Sequence, residues 1–276
     1  MKYLDPRADL TFKKVFGEHP DLMISFLNAM LPLKKGEEVV SIEYLSPEMI
    51  PPTPTNKYSI VDVRCVDRKG RCFIVEMQMV WSEEFKQRVL LNASKAYVFQ
   101  SSKGEDYELL QPVYSLNLVN DIFEPDLPEN EYYHYYRLVH YCHNSHILDG
   151  FHIVFVELPK FRPQNQMEKD MQQLWLRFLT EIKESGQVAE DLLEDPHIRK
   201  ALEIVEVSSY SQNEMAAYEK YWDSVSCEKT LINDGVRRGE AIGLKKGILQ
   251  TARKLKAKGI PMETIVQVTG LTEEEI

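Results

Sequence analysis

Long apolar runs are missing from this chain of 276 residues. No segment approaches the roughly 20 apolar residues of a membrane span, and the polar start MKYLDPRADLTFKK lacks the apolar stretch of a secretory signal. The four cysteines, Cys65, Cys72, Cys142 and Cys227, include no CxxC pair. Such spacing indicates reduced thiols rather than a disulfide framework or a thiolate zinc site. We therefore predict a cytoplasmic protein without a membrane segment.

A surplus of positive charge is also missing. The chain has 33 Lys and Arg against 43 Asp and Glu, which gives a net charge of −10. This charge argues against a protein whose whole surface binds nucleic-acid phosphates. One stretch, residues 235–260, departs from this balance with eight basic residues against Glu240, a local net charge of +7. Its basic residues are Arg237, Arg238, Lys245, Lys246, Arg253, Lys254, Lys256 and Lys258. Any contact with nucleic acid should therefore be local.

The residues that are present predict a folded α/β chain. Hydrophobic residues make up 43% of it, too many for a disordered protein. Apolar residues at helical spacing predict a helix over residues 21–31, preceded by a short helical turn that ends near Gly17, with Thr11 or Asp9 as its N-cap. Residues 39–45 alternate as a strand does.

A hairpin should follow. Residues 58–66 and 72–80 are apolar and rich in β-branched side chains, and the five residues between them are charged and include Gly70. A helix over residues 84–102 and strands over 113–119, 132–141 and 151–157 come next. The order is α-β-β-β-α-β with later strands, a mixed sheet with flanking helices.

Beyond residue 165 the periodicity is helical. We predict three segments: a core at 1–165, a helical extension packed on it at 166–230, and a basic helix with a short helical tail at 231–276. Four glycines in the basic helix recur every four residues, which would let another helix approach closely and would suit a homo-oligomer. They are Gly235, Gly239, Gly243 and Gly247.

Asp62 and Glu76 stand out because each lies in an otherwise apolar strand, where an unpaired carboxylate is costly. A turn symmetric about Lys69 pairs Val66 with Cys72 and sets Asp62 opposite Glu76. Cross-strand Cβ atoms are about 5 Å apart, so these two charges would repel. A divalent cation between them removes the repulsion, and carboxylates with water are the ligands that magnesium prefers.

Gln78 projects from the same face as Glu76 and could orient a water or a phosphate oxygen. Such a site suits metal-assisted hydrolysis of a phosphodiester. The alternative is an ordinary hairpin with both carboxylates on a solvated face. The apolar residues Ile60, Cys72 and Ile74 share this face and argue against full exposure.

Several motifs together resemble the Rpn family of recombination-promoting nucleases, also labelled PD-(D/E)XK nuclease family transposases. They are DLTFKKVFG at 9–17, IVDVRCVD at 60–67, FIVEMQM at 73–79, the helix through Arg88 and Tyr97, and the ending TGLTEEEI. The resemblance implies a restriction-endonuclease-like core that cuts DNA with Mg²⁺, for which Mn²⁺ should substitute. Asp62 and Glu76 would be the ligands, and Gln78 would stand in the place of the superfamily's lysine.

An amide cannot supply a cation to developing negative charge, so Arg88 or Lys95 on the following helix is the candidate cation. Asp9, Lys13 and Tyr97 are candidate supporting residues. Lys13 and Lys14 are candidate phosphate contacts, together with four basic residues of the C-terminal helix, Arg237, Arg238, Lys245 and Lys246.

The predicted function is a magnesium-dependent DNA endonuclease linked to recombination or mobile DNA. One alternative is a catalytically weak or inactive module that binds nucleic acid or protein, which Gln78 and the charge of −10 favour. Another is a defence-linked nuclease that acts on DNA or RNA. The sequence does not separate the two substrates, because the candidate site residues contact phosphate groups and do not recognise bases.

Overall fold

A computed structural model describes residues 2–49, 59–100, 106–163, 170–182 and 188–276. The helices are α1 (Asp9–Gly17), α2 (Pro20–Met30), α3 (Glu83–Val98), α4 (Met171–Glu181), α5 (Glu190–Glu194), α6 (Pro196–Ile204), α7 (Gln212–Ala257) and α8 (Met262–Thr269). The strands are β1 (Ile42–Tyr44), β2 (Glu48–Met49), β3 (Ser59–Ile60), β4 (Val63–Asp67), β5 (Cys72–Gln78), β6 (Val113–Val119), β7 (Tyr133–His140) and β8 (His143–Glu157). Among the described residues, no helix combines the length and the apolar character needed to cross a bilayer.

Six strands form one mixed sheet in the order β1-β4-β5-β6-β8-β7. The pairs β5–β6 and β6–β8 are parallel, and the other neighbours are antiparallel. The central strand β6 is buried at all its positions, as expected when both faces of a sheet are covered. The predicted α/β class, a mixed sheet with flanking helices and a helical C-terminal region, is confirmed.

Helices cover the two faces of the sheet unequally. On one face, α1, α2, α4 and α6 bury the main core, in which the rings of Phe16, Phe26 and Trp175 lie 4.4–5.6 Å apart. On the other face, α3 packs Phe85, Val89, Ala93 and Ala96 against the strands. The even-numbered residues of β5 point toward α3, which places Glu76 beneath that helix.

The β4–β5 hairpin has the register predicted from its turn, with Val66 paired to Cys72 and Val63 paired to Val75. Asp67 closes the turn by accepting hydrogen bonds from the backbone N–H groups of Lys69 and Arg71 at 3.0 and 2.9 Å. Its other carboxylate oxygen accepts a bond from Arg71 Nε at 2.8 Å. Gly70 has a φ of +81°, so the turn requires the left-handed region that glycine enters freely.

Some element predictions were wrong at their ends. The first hairpin strand begins at Val63 rather than at residue 58, because the chain bends at Asp62. The Asp62 carboxylate accepts a hydrogen bond from the Met77 N–H at this bend. Tyr58 itself lies outside the described residues. Ile60 belongs to β3, which pairs with β2, and is 54% exposed rather than shielding the site.

The N-cap of α1 is Ala8 rather than Thr11 or Asp9, because the Thr11 hydroxyl donates to the carbonyls of Asp5 and Ala8 instead. Strand β8 starts at His143, eight residues before the predicted strand. The predicted part, from Phe151 onward, is the part that pairs with β6.

The chain divides into two compact units, Met1–Trp222 and Asp223–Ile276, and α7 contributes to both. In the second unit, α7 ends at Ala257, and Gly259 turns the chain with a φ of +77°. Helix α8 ends at Thr269 and is followed by Gly270 with a φ of +69°. Ala252, Ile265 and Leu271 form its small core. The glycines between 235 and 247 have nothing within 4 Å of an added Cβ.

Candidate active site

Asp62 lies directly before β4, one position past the Val63–Val75 pair. The observed register ends at Val63, but the charge of Asp62 acts on the Glu76 carboxyl, so the two carboxylates lie near each other. Its Oδ2 accepts a hydrogen bond from the Met77 backbone N–H at 2.7 Å. Burial raises the pKa of the Asp62 carboxyl, and the charge of Asp9 raises it further, while the Met77 N–H, Lys13 and Arg88 oppose the rise.

Glu76 is the most enclosed carboxylate of the site, with 4% of the residue exposed. Asn92 Nδ2 of α3 donates to Oε1 at 3.0 Å, and Arg88 Nη2 lies 3.7 Å from Oε2. Burial raises the pKa of Glu76 to about 7, with the nearby charge of Asp62 adding to the rise and Asn92 and Arg88 opposing it. The side chain is thus poised to gain or lose a proton near neutral pH.

Gln78 links the strand to the helix. Its Oε1 accepts a hydrogen bond from Arg88 Nη2 at 2.5 Å, while its Nε2 donates to the carbonyl of Val80 at 2.6 Å. The Arg88 side chain remains 48% exposed although it also lies over the Phe85 ring. A guanidinium is therefore fixed beside Glu76 and still open to an anion from solvent.

The other predicted supporting residues divide into two groups. Asp9 and Lys13 form an ion pair at 2.6 Å on α1 and act electrostatically on Asp62, so the fold brings them to the site. Lys95 is seven residues after Arg88, about 10 Å farther along the axis of α3. Tyr97 packs against Phe151 with the two rings tilted and their centroids 5.1 Å apart, in the cluster at the far end of that helix.

The candidate phosphate contacts have different surroundings. Lys14 is engaged by Glu214, 2.8 Å away, and by the Tyr210 ring. In the second unit, Arg237 pairs with Asp234, and Lys245 lies 3.5 Å from Glu275. Arg238 and Lys246 are exposed on α7.

Sequence reasoning missed two residues near the carboxylates. Asn92 is fully buried, and a polar residue within the apolar stripe of α3 was the signal that could have revealed it. Tyr221 on α7 has its pKa raised by burial and by the charges of Asp9, Asp62 and Asp5, so it also lies near the acids. No local pattern links Tyr221 to residues more than 150 positions earlier.

The donors at this site are all hard oxygen atoms: the carboxylates of Asp62 and Glu76, and the Oδ1 of Asn92, a buried acceptor without a hydrogen-bond partner. In the described part of the chain, no group of three or more His, Cys, Asp or Glu side chains is arranged to hold a metal ion. Magnesium commonly binds through one or two carboxylates and keeps several waters, so the two carboxylates and the orphaned acceptor fit that ion.

Comparison with known proteins gives one match. The sequence model of a family described as PD-(D/E)XK nuclease family transposase matches residues 6–234. This range contains Asp62, Glu76, Gln78 and Arg88, and it ends before the basic cluster of α7. A search of curated proteins and a search of solved structures find no match.

Proposed function

The chain belongs to the PD-(D/E)XK nuclease family transposases. From this membership we propose that it is a magnesium-dependent endonuclease. It would hydrolyse phosphodiester bonds of DNA in recombination or in the movement of mobile DNA. The observation that supports the proposal is the proximity of two buried carboxylates, Asp62 directly before β4 and Glu76 on β5, since the charge of Asp62 helps to raise the pKa of Glu76. Two desolvated carboxylates that lie near each other gain from a cation between them.

Asp62 and Glu76 would hold the ion, and Mn²⁺ should substitute for Mg²⁺ because both accept oxygen ligands. When bound, the ion would polarise a phosphoryl oxygen and lower the pKa of an attacking water. The Met77 N–H bond to Oδ2 fixes the orientation of Asp62 and leaves Oδ1 for the ion. Asn92 does the same for Glu76 through Oε1.

Arg88 would supply the positive charge that the superfamily's lysine supplies elsewhere. Gln78 holds the guanidinium by a hydrogen bond, and half of the Arg88 side chain is exposed to an incoming phosphate. A fixed cation aimed at developing negative charge stabilises the transition state more than a mobile one. This arrangement favours an active enzyme over an inactive module despite the amide at position 78.

DNA would be drawn to the site by local positive charge. Lys13, near Asp62, could contact the DNA backbone close to the scissile phosphate. Lys14 could make a similar contact once its ion pair with Glu214 is broken. Arg237, Arg238, Lys245 and Lys246 would tether DNA from the second unit, or the glycine-bearing face of the same helix would join two chains. The four cysteines are free thiols, consistent with action in the cytoplasm.

The test is cleavage of supercoiled plasmid by purified protein with Mg²⁺, compared among the parent, Asp62→Asn and Glu76→Gln. Both changes should abolish cleavage, because each removes one of two protein ligands. Glu43→Gln is the matched control, since Glu43 is an exposed carboxylate on β1 of the same sheet. Cleavage that persists in both site variants, after contaminating nucleases are excluded, would refute the proposal. A parallel assay on RNA distinguishes the two substrates.

A further inference from the structure

Asn92 is an unusual residue in its position. Helix α3 turns an apolar face to the sheet, with Phe85, Val89, Ala93 and Ala96 buried, and Asn92 lies among them with 0% exposure. A buried amide is costly unless both of its polar atoms find partners. In Asn92, Nδ2 donates to Glu76 Oε1 at 3.0 Å, but Oδ1 is buried without a hydrogen-bond partner.

Two other asparagines in the fold use both ends of the amide. Asn28 donates to the Val39 carbonyl at 2.8 Å and accepts from the Val39 N–H at 2.7 Å. Asn117 donates to the Val154 carbonyl at 3.0 Å and accepts from the Ser115 hydroxyl at 3.3 Å. These are structural amides. The unsatisfied half of Asn92 therefore calls for a donor that is not part of the protein.

We propose that Asn92 is a positioning residue for the cation site: its Nδ2 holds the Glu76 carboxylate in the orientation that binds the ion, and its Oδ1 accepts a hydrogen bond from a water carried by the ion. This inference rests on the proposed function. A carboxylate has about four acceptor positions, so the bond from Nδ2 leaves Glu76 free to bind a cation as well.

The buried environment makes this role effective. Glu76 can turn about its side-chain bonds, and the bond from a helix-borne amide selects one orientation before the cation arrives. Partners that orient a metal ligand commonly contribute ten- to a hundredfold, roughly, to metal affinity. An ion-bound water would satisfy Oδ1, removing the cost of an unmade hydrogen bond in the cation-free protein.

The experiment is a calorimetric titration of the full chain with Mn²⁺, without nucleic acid, for the parent, Asn92→Leu, Asn92→Ala, Asn28→Leu and Glu76→Gln. Leucine keeps the approximate shape of asparagine and removes both polar atoms; alanine, the best helix former, is the second variant should the leucine protein not fold. Asn28→Leu is the matched control, because it removes an amide that contacts only backbone.

We expect the dissociation constant for Mn²⁺ to rise at least about tenfold in both Asn92 variants and to stay at the parent value in Asn28→Leu, even though that protein melts earlier. The Mg²⁺ concentration for half-maximal cleavage should rise in parallel, with kcat recovering at high Mg²⁺. Parent-like Mn²⁺ affinity in the folded Asn92 variants would overturn the inference alone. A parent that binds Mn²⁺ no better than Glu76→Gln would overturn the proposed function as well.

Discussion

Gln78 on β5 accepts a hydrogen bond from Arg88 on α3 at 2.5 Å. The amide at the end of β5 thus fixes a cation from the neighbouring helix. Since Arg88 Nη2 also lies 3.7 Å from Glu76 Oε2, strand and helix together place one positive charge at the edge of the carboxylate pair.

Removing this guanidinium should slow cleavage without removing the ion. We expect Arg88→Gln to lower kcat by about 10²–10³-fold, the usual cost of losing one group that stabilises transition-state charge. The Mn²⁺ dissociation constant should change little. Adding Gln78→Lys to Arg88→Gln returns an ammonium to the strand and should recover at least tenfold, roughly, of the lost rate. A parent-like kcat in Arg88→Gln would exclude Arg88 as the cation.

The pKa of Glu76 predicts how stability depends on pH in EDTA. Its folded value is about 7, above the ordinary 4.5, so the neutral form is favoured by folding. This contribution is fully present below pH 4.5 and is lost as the pH rises through 7. Relative to Glu76→Gln, the parent should lose about 3 kcal/mol of unfolding free energy between pH 4.5 and 8.

Urea denaturation of both proteins across this range measures that difference. Saturating Mn²⁺ should reduce it, because the ion binds the ionised form of Glu76. If the unfolding free energies of the parent and of Glu76→Gln change with pH in parallel in EDTA, Glu76 ionises at its ordinary pKa. The Glu76 carboxyl would then not be desolvated as inferred.

Asp67 and Arg71 form a buried ion pair of 2.7 Å whose side chains are 4% and 6% exposed. Asp67→Ala should lower the unfolding free energy by roughly 3–5 kcal/mol, because it leaves a buried cation unpaired. Asp21→Asn breaks an exposed pair with Lys200, also at 2.7 Å, and should cost about 1 kcal/mol or less. Equal losses from the two changes, measured by denaturant titration, would contradict a hairpin held by this turn.

A chain that ends at residue 230 should separate catalysis from tethering. We expect it to stay folded and to bind Mn²⁺ as the parent does, because the carboxylates and Arg88 belong to the first compact unit. It should lose salt-dependent affinity for DNA, with a shallower dependence of log K on log salt, or change in mass by light scattering. Unfolding of the shortened protein would show that the proposed boundary is wrong.

The sequence predicted the hairpin and its register because both follow from local chemistry. A charged five-residue turn with Gly70 fixes which residues face each other, and the structure confirms Val66 against Cys72. The turns of the C-terminal tail follow from local chemistry as well, since Gly259 and Gly270 both have positive φ, which glycine adopts freely. After Gly270, the Thr272 hydroxyl donates a hydrogen bond to Glu275 Oε2 at 3.2 Å.

Features that depend on distant packing could not be predicted. The first half of β8 lacks apolar alternation, because residues 143–150 pair only with β7 and remain largely exposed. The role of Asn92 could not be predicted either, since helical periodicity cannot distinguish an amide that faces a carboxylate from one that faces a backbone carbonyl. Tyr221 reaches the acids only through the packing of α7.

Diffraction from a crystal soaked in manganese, recorded near the manganese absorption edge, tests the central claim most directly. The claim predicts an anomalous peak about 2.1 Å from a carboxylate oxygen of Asp62 and from one of Glu76. The same soak of Glu76→Gln crystals should lose the peak. A parent map without a peak between these two carboxylates at saturating manganese would contradict a metal-dependent active site at Asp62 and Glu76.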